Sequence, residues 1–157
     1  KKGISSNITM LFGHVEDYEH IITHLAKVRS VQDETNGFLT FVPLKYHVEN
    51  NALGKRTQRL KPKNIKRVFS VSRLMLDNVP HLKALWNYLG PKEAQELLHY
   101  GADDFSATQI EEKVITMAGG TDIKMDRSSM EDLITQIGRT PCHAHSSDRL
   151  QKVASLV

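Results

Sequence analysis

Short apolar runs alternate with amphipathic segments along most of the chain. Residues 8–12 form a nearly continuous apolar run that ends at Gly13, which is typical of a parallel strand covered on both faces. Apolar residues then recur at helical spacing over residues 18–28, after acids that suit the helix dipole. Gly37 permits a turn into a second apolar run, residues 38–44. These patterns predict a strand, a helix and a second strand.

The alternation continues through the middle of the chain. A second helix is predicted over residues 65–76, and a third strand near residues 82–86. Pro91 suits the first position of a third helix, and Gly101 suits the position just after its end. Residues 102–105 are interpreted as a short fourth strand.

A last helix is predicted near residue 130. Ser128 and Glu131 have the spacing of a capping box, and Gly138 is a suitable stop signal. Strands that alternate with helices predict a parallel sheet, and right-handed crossovers place all its strand-to-helix loops at one end. Four strands cannot close a barrel of six or eight. The periodicity therefore predicts an α/β fold of about four strand–helix units, which forms part of a (β/α) barrel.

Polar residues follow several of the predicted strands, at the end where such barrels carry their chemistry. His14 and Glu16 follow the first strand, His47 follows the second, and Asp103 and Asp104 belong to the fourth. Adjacent strand residues point to opposite faces, so only one of the two aspartates can face a barrel interior. Convergence of independent loops on one rim indicates a site more strongly than any one of these residues alone.

For other polar and aromatic residues, a purely structural role remains open beside a functional one. His20 and His24 have the spacing of a metal pair on a helix, but they lie roughly opposite its apolar face and are predicted to be solvated. Trp86 is interpreted as core, and His81 as a polar residue at the opposite rim. Pro43 comes near the end of the second strand, where a missing N–H donor is tolerated. The glycine turn after the first strand and the two aspartates also suit purely structural turns and caps.

Composition narrows the class of protein. The chain has 157 residues, of which 39% are hydrophobic and 25% charged, as expected for one globular domain or a piece of a larger one. No apolar run approaches the roughly 18 residues of a membrane helix, so no membrane partner is predicted. Cys142 is the single cysteine, which excludes a disulfide framework and a cysteine-rich metal site and favours the reducing cytoplasm. The chain starts almost at once with a strand, so we expect it to begin partway through a domain.

One stretch concentrates positive charge, although the net charge is only +3. Its members, with no acid among them, are Lys55, Arg56, Arg59, Lys61, Lys63, Lys66 and Arg67. Such a run suits a phosphate or RNA contact, or a solvated loop that leads into a helix. No aromatic residue interleaves it, which weakens a single-strand-binding interpretation, and no nucleic-acid partner is predicted.

Four segments carry a family resemblance. They read MLFGHVE, QDETNGFLTFVPLKYH, SRLMLDNVPHLKALW and LLHYGADDFSATQIEEKV, in that order along the chain. Together they resemble the C-terminal half of aminofutalosine synthase, a radical S-adenosylmethionine (SAM) enzyme family of the futalosine route to menaquinone. The resemblance covers residues from about 4 to 141. Two sister families, dehypoxanthine futalosine cyclase and the deazaflavin-forming synthase, share much of this frame.

The resemblance implies a fold, a reaction and site residues. The fold would be the C-terminal part of a SAM-binding, TIM-type (β/α) barrel. SAM, cleaved at a [4Fe–4S] cluster, would supply a 5′-deoxyadenosyl radical that adds to 3-[(1-carboxyvinyl)oxy]benzoate and leads to aminofutalosine. The residues implied on the SAM side are Leu11, Gly13 and Glu16. The residues expected to face the substrate are His14, His47, Asp103 and Asp104.

The chain also departs from the family pattern. The family holds its cluster with three cysteines in a Cys-x3-Cys-x2-Cys loop, whereas this chain has only Cys142. We therefore predict that residues 1–141 are the C-terminal half of a barrel, inactive alone, with cluster ligands outside the chain. Val48 replaces a proline usual in the family, and residues 142–157 are expected to form a divergent, mobile tail. The predicted partners are a small-molecule substrate and either the missing half or a second copy; a non-catalytic half-barrel is the alternative.

Overall fold

A parallel three-stranded sheet organises the chain. The computed structural model describes residues 3–50, 52–57, 64–108, 116–117 and 124–144. Its elements are β1 (Ser6–Phe12), α1 (Tyr18–Thr35), β2 (Phe38–Lys45), α2 (Ala52–Thr57), α3 (Ile65–Met75), β3 (His81–Leu82), α4 (Trp86–Leu89), α5 (Pro91–Leu97), the 3-10 turn Leu98–Tyr100 and α6 (Arg127–Gln136). The strands lie in the order β1–β2–β3, and both pairings are parallel. The predicted mixed α/β fold with parallel strands is confirmed.

The third and fourth strands differ from the prediction. β3 has only two residues, and Trp86, expected at the end of a strand, instead begins α4. The predicted fourth strand is reduced to one parallel bridge between Lys83 and Asp104. Main-chain hydrogen bonds form this bridge: the amides of Asp103 and Asp104 donate to Leu82 O, and Ala84 N donates to Asp104 O at 2.8 Å. About four strand–helix units were expected, and the described residues contain three strands and this bridge.

Helix ends follow the sequence signals with one exception. Pro91 occupies the first turn of α5, and Gly101 has a left-handed φ of 101° just after the 3-10 turn, as predicted. The cap of α6 is Asp126 rather than Ser128, because the Asp126 carboxylate accepts a hydrogen bond from Ser129 N at 2.9 Å. A short acidic side chain two residues upstream of the expected cap supplies the same acceptor.

The sheet has two different faces. Its outer face carries Met10, Phe12, Phe41 and Leu82, which join the main hydrophobic core. The helices α1 and α3 contribute to the same core, including the side chains of Ile21, Leu25, Val28, Val68 and Phe69. The residues between them along each strand point to the opposite side, which we call the inner face. On β1 this inner face carries Asn7, Thr9 and Leu11, all exposed.

Pro43 lies inside β2, within the residues that pair with β1. It is buried and is the partner of Met10 on β1. The carbonyl of Phe41 faces β3, because it accepts from Lys83 N at 2.9 Å, and Pro43 two residues later faces the same side. The named pairing between β2 and β3 ends at Phe41–Leu82. Pro43 therefore lacks its N–H donor where the β2–β3 ladder has already stopped.

Gln32 joins the end of α1 to the start of β2. Its buried side chain accepts from Phe38 N at 2.8 Å and donates to Phe38 O at 3.0 Å. The same amide nitrogen donates to Asn78 O at 3.1 Å, in the loop before β3. One side chain thereby satisfies three main-chain groups at the amino end of the sheet. α1 ends at Thr35, and its C-cap Asn36 has a left-handed φ of 48° just before the turn at Gly37.

His24 lies at the junction of α1 and the sheet, which corrects its expected solvation. It is half-buried, and its ring centroid is 6.5 Å from that of Phe41. Burial of the ring lowers the pKa of His24, and the nearby Lys27 lowers it further. His20 is exposed as predicted, and its backbone N–H and ring take part in the N-cap of α1 with Asp17.

The lowered pKa of His24 predicts a pH dependence of folding. The unfolded chain binds a proton at His24 more readily than the folded chain. Stability from this residue is therefore fully present above about pH 6.5, the ordinary histidine value, and is lost as the pH falls toward the lower folded pKa. Urea unfolding of the chain from pH 8 to pH 5 measures this loss.

A His24→Gln variant serves to assign that dependence. We expect a shallower decline of unfolding free energy below about pH 6.5 in this variant. His99→Gln, at an exposed position, is the control and is expected to keep the slope of the unmodified chain. An identical slope in His24→Gln and the unmodified chain would contradict the assignment.

Candidate functional site

The rim comprises the two loops that follow β1 and β2, residues 13–17 and 46–50. Tyr46 N donates to Phe12 O at 2.8 Å, so the loops start side by side. Gly13 has a φ of 96°, a backbone conformation that favours glycine. A Cβ added there would have Tyr46 N, at 3.9 Å, as its nearest neighbour among the described residues. The backbone of Gly13 is thus open to a group that approaches the rim.

Glu16 closes the turn after β1. One carboxylate oxygen accepts from Gly13 N at 2.5 Å, and the other accepts from His14 N at 2.9 Å. Only 12% of the side chain is exposed. The next residue, Asp17, is the N-cap of α1, so the turn passes directly into the helix. The family resemblance implied that Glu16 contacts SAM. In the structure, its carboxylate holds the amides of Gly13 and His14 in the turn.

His14 and His47 both belong to the rim, and each packs against a tyrosine. The His14 ring meets the Tyr46 ring edge-on, with centroids 5.3 Å apart, and its Nδ1 lies 3.8 Å from Glu16. The His47 ring lies 6.1 Å from the ring of Tyr88, which belongs to α4. Two predicted substrate residues are therefore presented from adjacent loops.

A close backbone approach fixes the loop that carries His47. Gly54 in α2 is buried, and a Cβ at this position would lie 1.6 Å from Val48 O. Only glycine permits that approach without movement of the backbone. Val48, the residue that departs from the family proline, is therefore held by α2.

Asp103 and Asp104 have different surroundings. Asp103 accepts from Leu82 N at 2.8 Å and Arg73 Nη2 at 3.2 Å, and its other oxygen lies 3.0 Å from His81 Nδ1. These contacts hold the amino end of β3 and do not bring Asp103 to the rim. Asp104 is only 8% exposed and lies 3.3 Å from Lys83 Nζ. Of the two adjacent aspartates, Asp104 is the one on the inner face.

Lys83 is a charged residue of the inner face that the sequence patterns did not single out. It follows β3 directly, and its side chain is 20% exposed. The signal available in the sequence was its position, one residue beyond the apolar Leu82, between two small or apolar residues. Leu11, the third residue implied on the SAM side, is 48% exposed on the inner face of β1.

The basic stretch is only partly described. Lys66 pairs with Glu96 at 2.5 Å and lies 5.4 Å from the ring centroid of Tyr100. The guanidinium carbon of Arg67 is 5.7 Å from the ring centroid of Tyr18. The side chains of the other five basic residues lie outside the described residues.

The Glu16 geometry predicts a measurable local effect. In Glu16→Ala the amides of Gly13 and His14 lose their acceptor, and a lost buried hydrogen bond of this kind corresponds to about a tenfold change or more in a local opening equilibrium. Hydrogen exchange of these two amides is expected to speed up by that factor. Glu19→Ala, in the exposed first turn of α1, is the matched control. Unchanged exchange in Glu16→Ala would refute this role.

A sequence model of the CofH/MqnC C-terminal region matches residues 35–154. The chain belongs to this family. The matched range contains β2, β3 and α6, and therefore His47, Lys83 and Asp104.

Curated relatives agree with membership of the CofH/MqnC family. Aminodeoxyfutalosine synthase of Streptomyces coelicolor is 38% identical over 152 residues, covering 90% of this chain and 39% of that enzyme. Cyclic dehypoxanthine futalosine synthase of the same organism is 40% identical over 139 residues, covering 88% and 34%. A 5-amino-6-(D-ribitylamino)uracil–L-tyrosine 4-hydroxyphenyl transferase of Methanococcus maripaludis is 36% identical over 148 residues, covering 90% and 41%.

Two facts follow from these similarities. The resemblance to aminofutalosine synthase and its sisters is confirmed, while identities of 38%, 40% and 36% do not separate the three reactions. The chain spans between 34% and 41% of the length of these CofH/MqnC relatives.

The residues of this CofH/MqnC chain do not fit an iron–sulfur cluster. Three thiolates are required for a cluster that leaves one iron open, and the whole chain contains the single Cys142, which is exposed. In the described part, no three His, Cys, Asp or Glu side chains are grouped as metal ligands. Among the described helices, none is both long and apolar enough to cross a membrane.

Proposed function

We propose that the chain is the substrate-side half of a radical SAM transferase of the aminofutalosine synthase type. The observation that carries this proposal is the 38% identity to aminodeoxyfutalosine synthase over 90% of the chain. Rim loops on adjacent parallel strands support it, because enzymes built from strand–helix units place their sites at this end. The reaction would join the 5′-deoxyadenosyl group of SAM to 3-[(1-carboxyvinyl)oxy]benzoate.

The complete enzyme would be a (β/α) barrel. In the described residues β1 pairs only with β2, and its inner face is exposed at Leu11. An edge of this kind accepts a further strand, and barrels remove such edges by closure. The relatives are more than twice as long as this chain, which leaves room for the remaining strands in their upstream part. The proposed partner is therefore a polypeptide that supplies those strands, with a second copy as the alternative.

The glycine turn suits the SAM side of the site. Gly13 leaves its backbone open to close approach, Leu11 offers an apolar surface on the inner face, and Glu16 keeps the turn rigid. Each carboxylate oxygen of Glu16 accepts one amide and retains acceptor capacity for a ligand hydroxyl. When bound, SAM supplies the adenosyl group. The residues of this chain would hold and orient it.

The substrate side would be formed by His14, His47 and Asp104. The two histidines lie in adjacent rim loops, and Asp104 lies on the inner face. Asp103 instead stabilises β3 through Leu82 N and Arg73, so its contribution would be structural. The cluster must be held by cysteines of another polypeptide segment, and no step of its chemistry is assigned to this chain. Small molecules are the proposed ligands, without nucleic acid or membrane, and the single free cysteine suits the cytoplasm.

Product analysis tests the proposal. The chain is combined with the polypeptide encoded upstream of it, reconstituted anaerobically with iron and sulfide, and given SAM and 3-[(1-carboxyvinyl)oxy]benzoate. We expect mass spectrometry to detect aminofutalosine from the combination and none from either half alone. Product from this chain alone would contradict the half-enzyme proposal. Association of the two halves without any product would contradict the transferase assignment and favour a non-catalytic half-barrel.

The cyclase reaction is the second candidate. It is favoured by the 40% identity to cyclic dehypoxanthine futalosine synthase. The same reconstituted protein is therefore also given dehypoxanthine futalosine. A cyclised product from this substrate, with no aminofutalosine from the first, would replace the synthase proposal by the cyclase.

A further inference from the structure

A charged pair lies on the inner face, away from the main core. Lys83 Nζ is 3.3 Å from Asp104 Oδ2, and the two side chains are only 20% and 8% exposed. The backbones are joined as well, because Ala84 N donates to Asp104 O at 2.8 Å. Asp104 further accepts from Ser106 N at 2.9 Å. The pair is therefore fixed by both main-chain and side-chain contacts.

The strand register places this pair within the candidate site. Phe41 pairs with Leu82, so Lys83, one residue further, is level with Val42 on the inner face. Val42 pairs with Thr9 on β1. The next inner-face pair toward the rim is Leu11–Leu44, two residues or about 7 Å away. Lys83 thus lies on the inner face of the sheet, one inner-face pair further from the rim than Leu11–Leu44.

A structural pair alone gives little reason for a charge at this place. Removing an ammonium and a carboxylate from water costs several kcal/mol per ion, and apolar residues often replace such pairs without loss of stability. An ammonium has three N–H donors, and Asp104 is the one side-chain partner of Lys83 within the described part of the chain. The remaining donors point to use by another acceptor.

The surroundings indicate the chemistry of that acceptor. On the two neighbouring strands, the next inner-face residues toward the rim are the apolar Leu11 and Leu44, whereas Lys83 supplies a positive charge one level further from the rim. A ligand that fits has an apolar body and an anionic end. We propose that Lys83, oriented by Asp104, is a specificity-determining residue that binds a carboxylate group of the ligand. The identification of that ligand as the benzoate substrate rests on the proposed function; the carboxylate site itself does not.

Binding of a simple aromatic carboxylate tests the site without SAM. Saturation-transfer NMR measures the Kd of benzoate for the chain, with neutral benzamide as the uncharged comparison. In Lys83→Met, which keeps the length and removes the charge, the Kd of benzoate is expected to rise about tenfold or more, since hydrogen bonds to charged groups are the strong ones. Lys83→Arg is expected to keep most of the affinity. Lys45→Met is the matched control, because Lys45 is an exposed β2 lysine that is likewise paired with a carboxylate, that of Glu93.

A measurement on the unsubstituted chain guards against a misfolded variant. Lysine amines carrying ¹³C-methyl labels are followed during the benzoate titration, and the Lys83 signal is identified by its loss in Lys83→Arg. We expect this signal to shift before those of the other lysines. Failure of the chain to bind benzoate, equal binding of benzamide, or a Lys83 signal that stays fixed while benzoate binds would each overturn the inference. None of these outcomes bears on aminofutalosine formation, which tests the proposed function separately.

Discussion

Replacement of Trp86 by alanine is expected to lower the free energy of unfolding by about 4 kcal/mol. Trp86 begins α4, is completely buried, and is among the largest fully buried side chains of the described residues. Its ring nitrogen also donates to Ala107 O at 3.2 Å, which ties the segment after Asp104 to the core. The variant therefore leaves a large cavity and an unpartnered carbonyl. Because whole domains are stable by only about 5–15 kcal/mol, a loss of this size removes a large share of the free energy that keeps the chain folded.

Urea unfolding followed by far-UV circular dichroism measures the effect. Trp86→Phe separates its two parts, because it keeps most of the ring and removes the N–H donor; we expect a loss of about 1–2 kcal/mol. Leu74→Ala is the control: this leucine of α3 is 79% exposed, and its replacement is expected to change stability by less than about 0.5 kcal/mol. A Trp86→Ala midpoint close to that of Leu74→Ala would show that the tryptophan is not part of the core.

Gln32→Ala is expected to cost about 3 kcal/mol, although it removes a polar side chain from a helix. The side chain serves Phe38 N, Phe38 O and Asn78 O, and each buried group left without a partner costs about 1–3 kcal/mol. Alanine has the better helix propensity, but that gain is a few tenths of a kcal/mol. The loss of hydrogen bonds therefore decides the sign.

Chemical unfolding and amide exchange together test the Gln32 role. Gln136→Ala is the matched control: this glutamine at the exposed end of α6 accepts one solvent-exposed hydrogen bond, from Gln95 Nε2 at 3.3 Å, and its replacement is expected to leave the unfolding midpoint nearly unchanged. In Gln32→Ala the exchange of Phe38 N–H is expected to rise more than that of Ile21 N–H in the first turns of α1. A stability equal to that of the Gln136 variant would mean that water replaces all three bonds.

Periodicity predicted the elements that are long, and it missed those that depend on contacts from elsewhere in the chain. α1 and β2 could be predicted because each carries its own repeating pattern over many residues. The third strand was predicted to run too far, because α4 already begins at Trp86 and the pairing partner of Lys83 is Asp104, a residue distant in the sequence. Trp86 was assigned to the wrong element for a related reason. Its burial is compatible with a strand and with the first turn of a helix, so the sequence pattern alone does not separate the two.

The positions of the candidate site residues could be predicted only in part. Glycine followed by His14 and Glu16 after an apolar run predicted a loop after the first strand, and residues 13–17 form that loop between β1 and α1. The binding roles of these residues stay predictions. Nothing local in the sequence assigned Glu16 to the turn amides or separated Asp103 from Asp104, because both outcomes depend on tertiary contacts. Lys83 could not be predicted as a site residue for the same reason. Single lysines after short strands are common, and only the tertiary contact with Asp104 distinguishes this one.

The bonds around Gln32 also have a consequence for how new reactions arise on this frame. At the amino end of the sheet, Gln32, Asn78 and Arg29 hold α1 to the loop before β3, and Arg73 and Asp103 hold β3 to α3. The rim, at the other end, depends on short local contacts such as those of Glu16. Substitutions in the rim loops therefore leave the contacts at the amino end of the sheet intact. A scaffold divided in this way lets selection explore chemistry at one end while the other end preserves folding, which is consistent with relatives named for three different reactions.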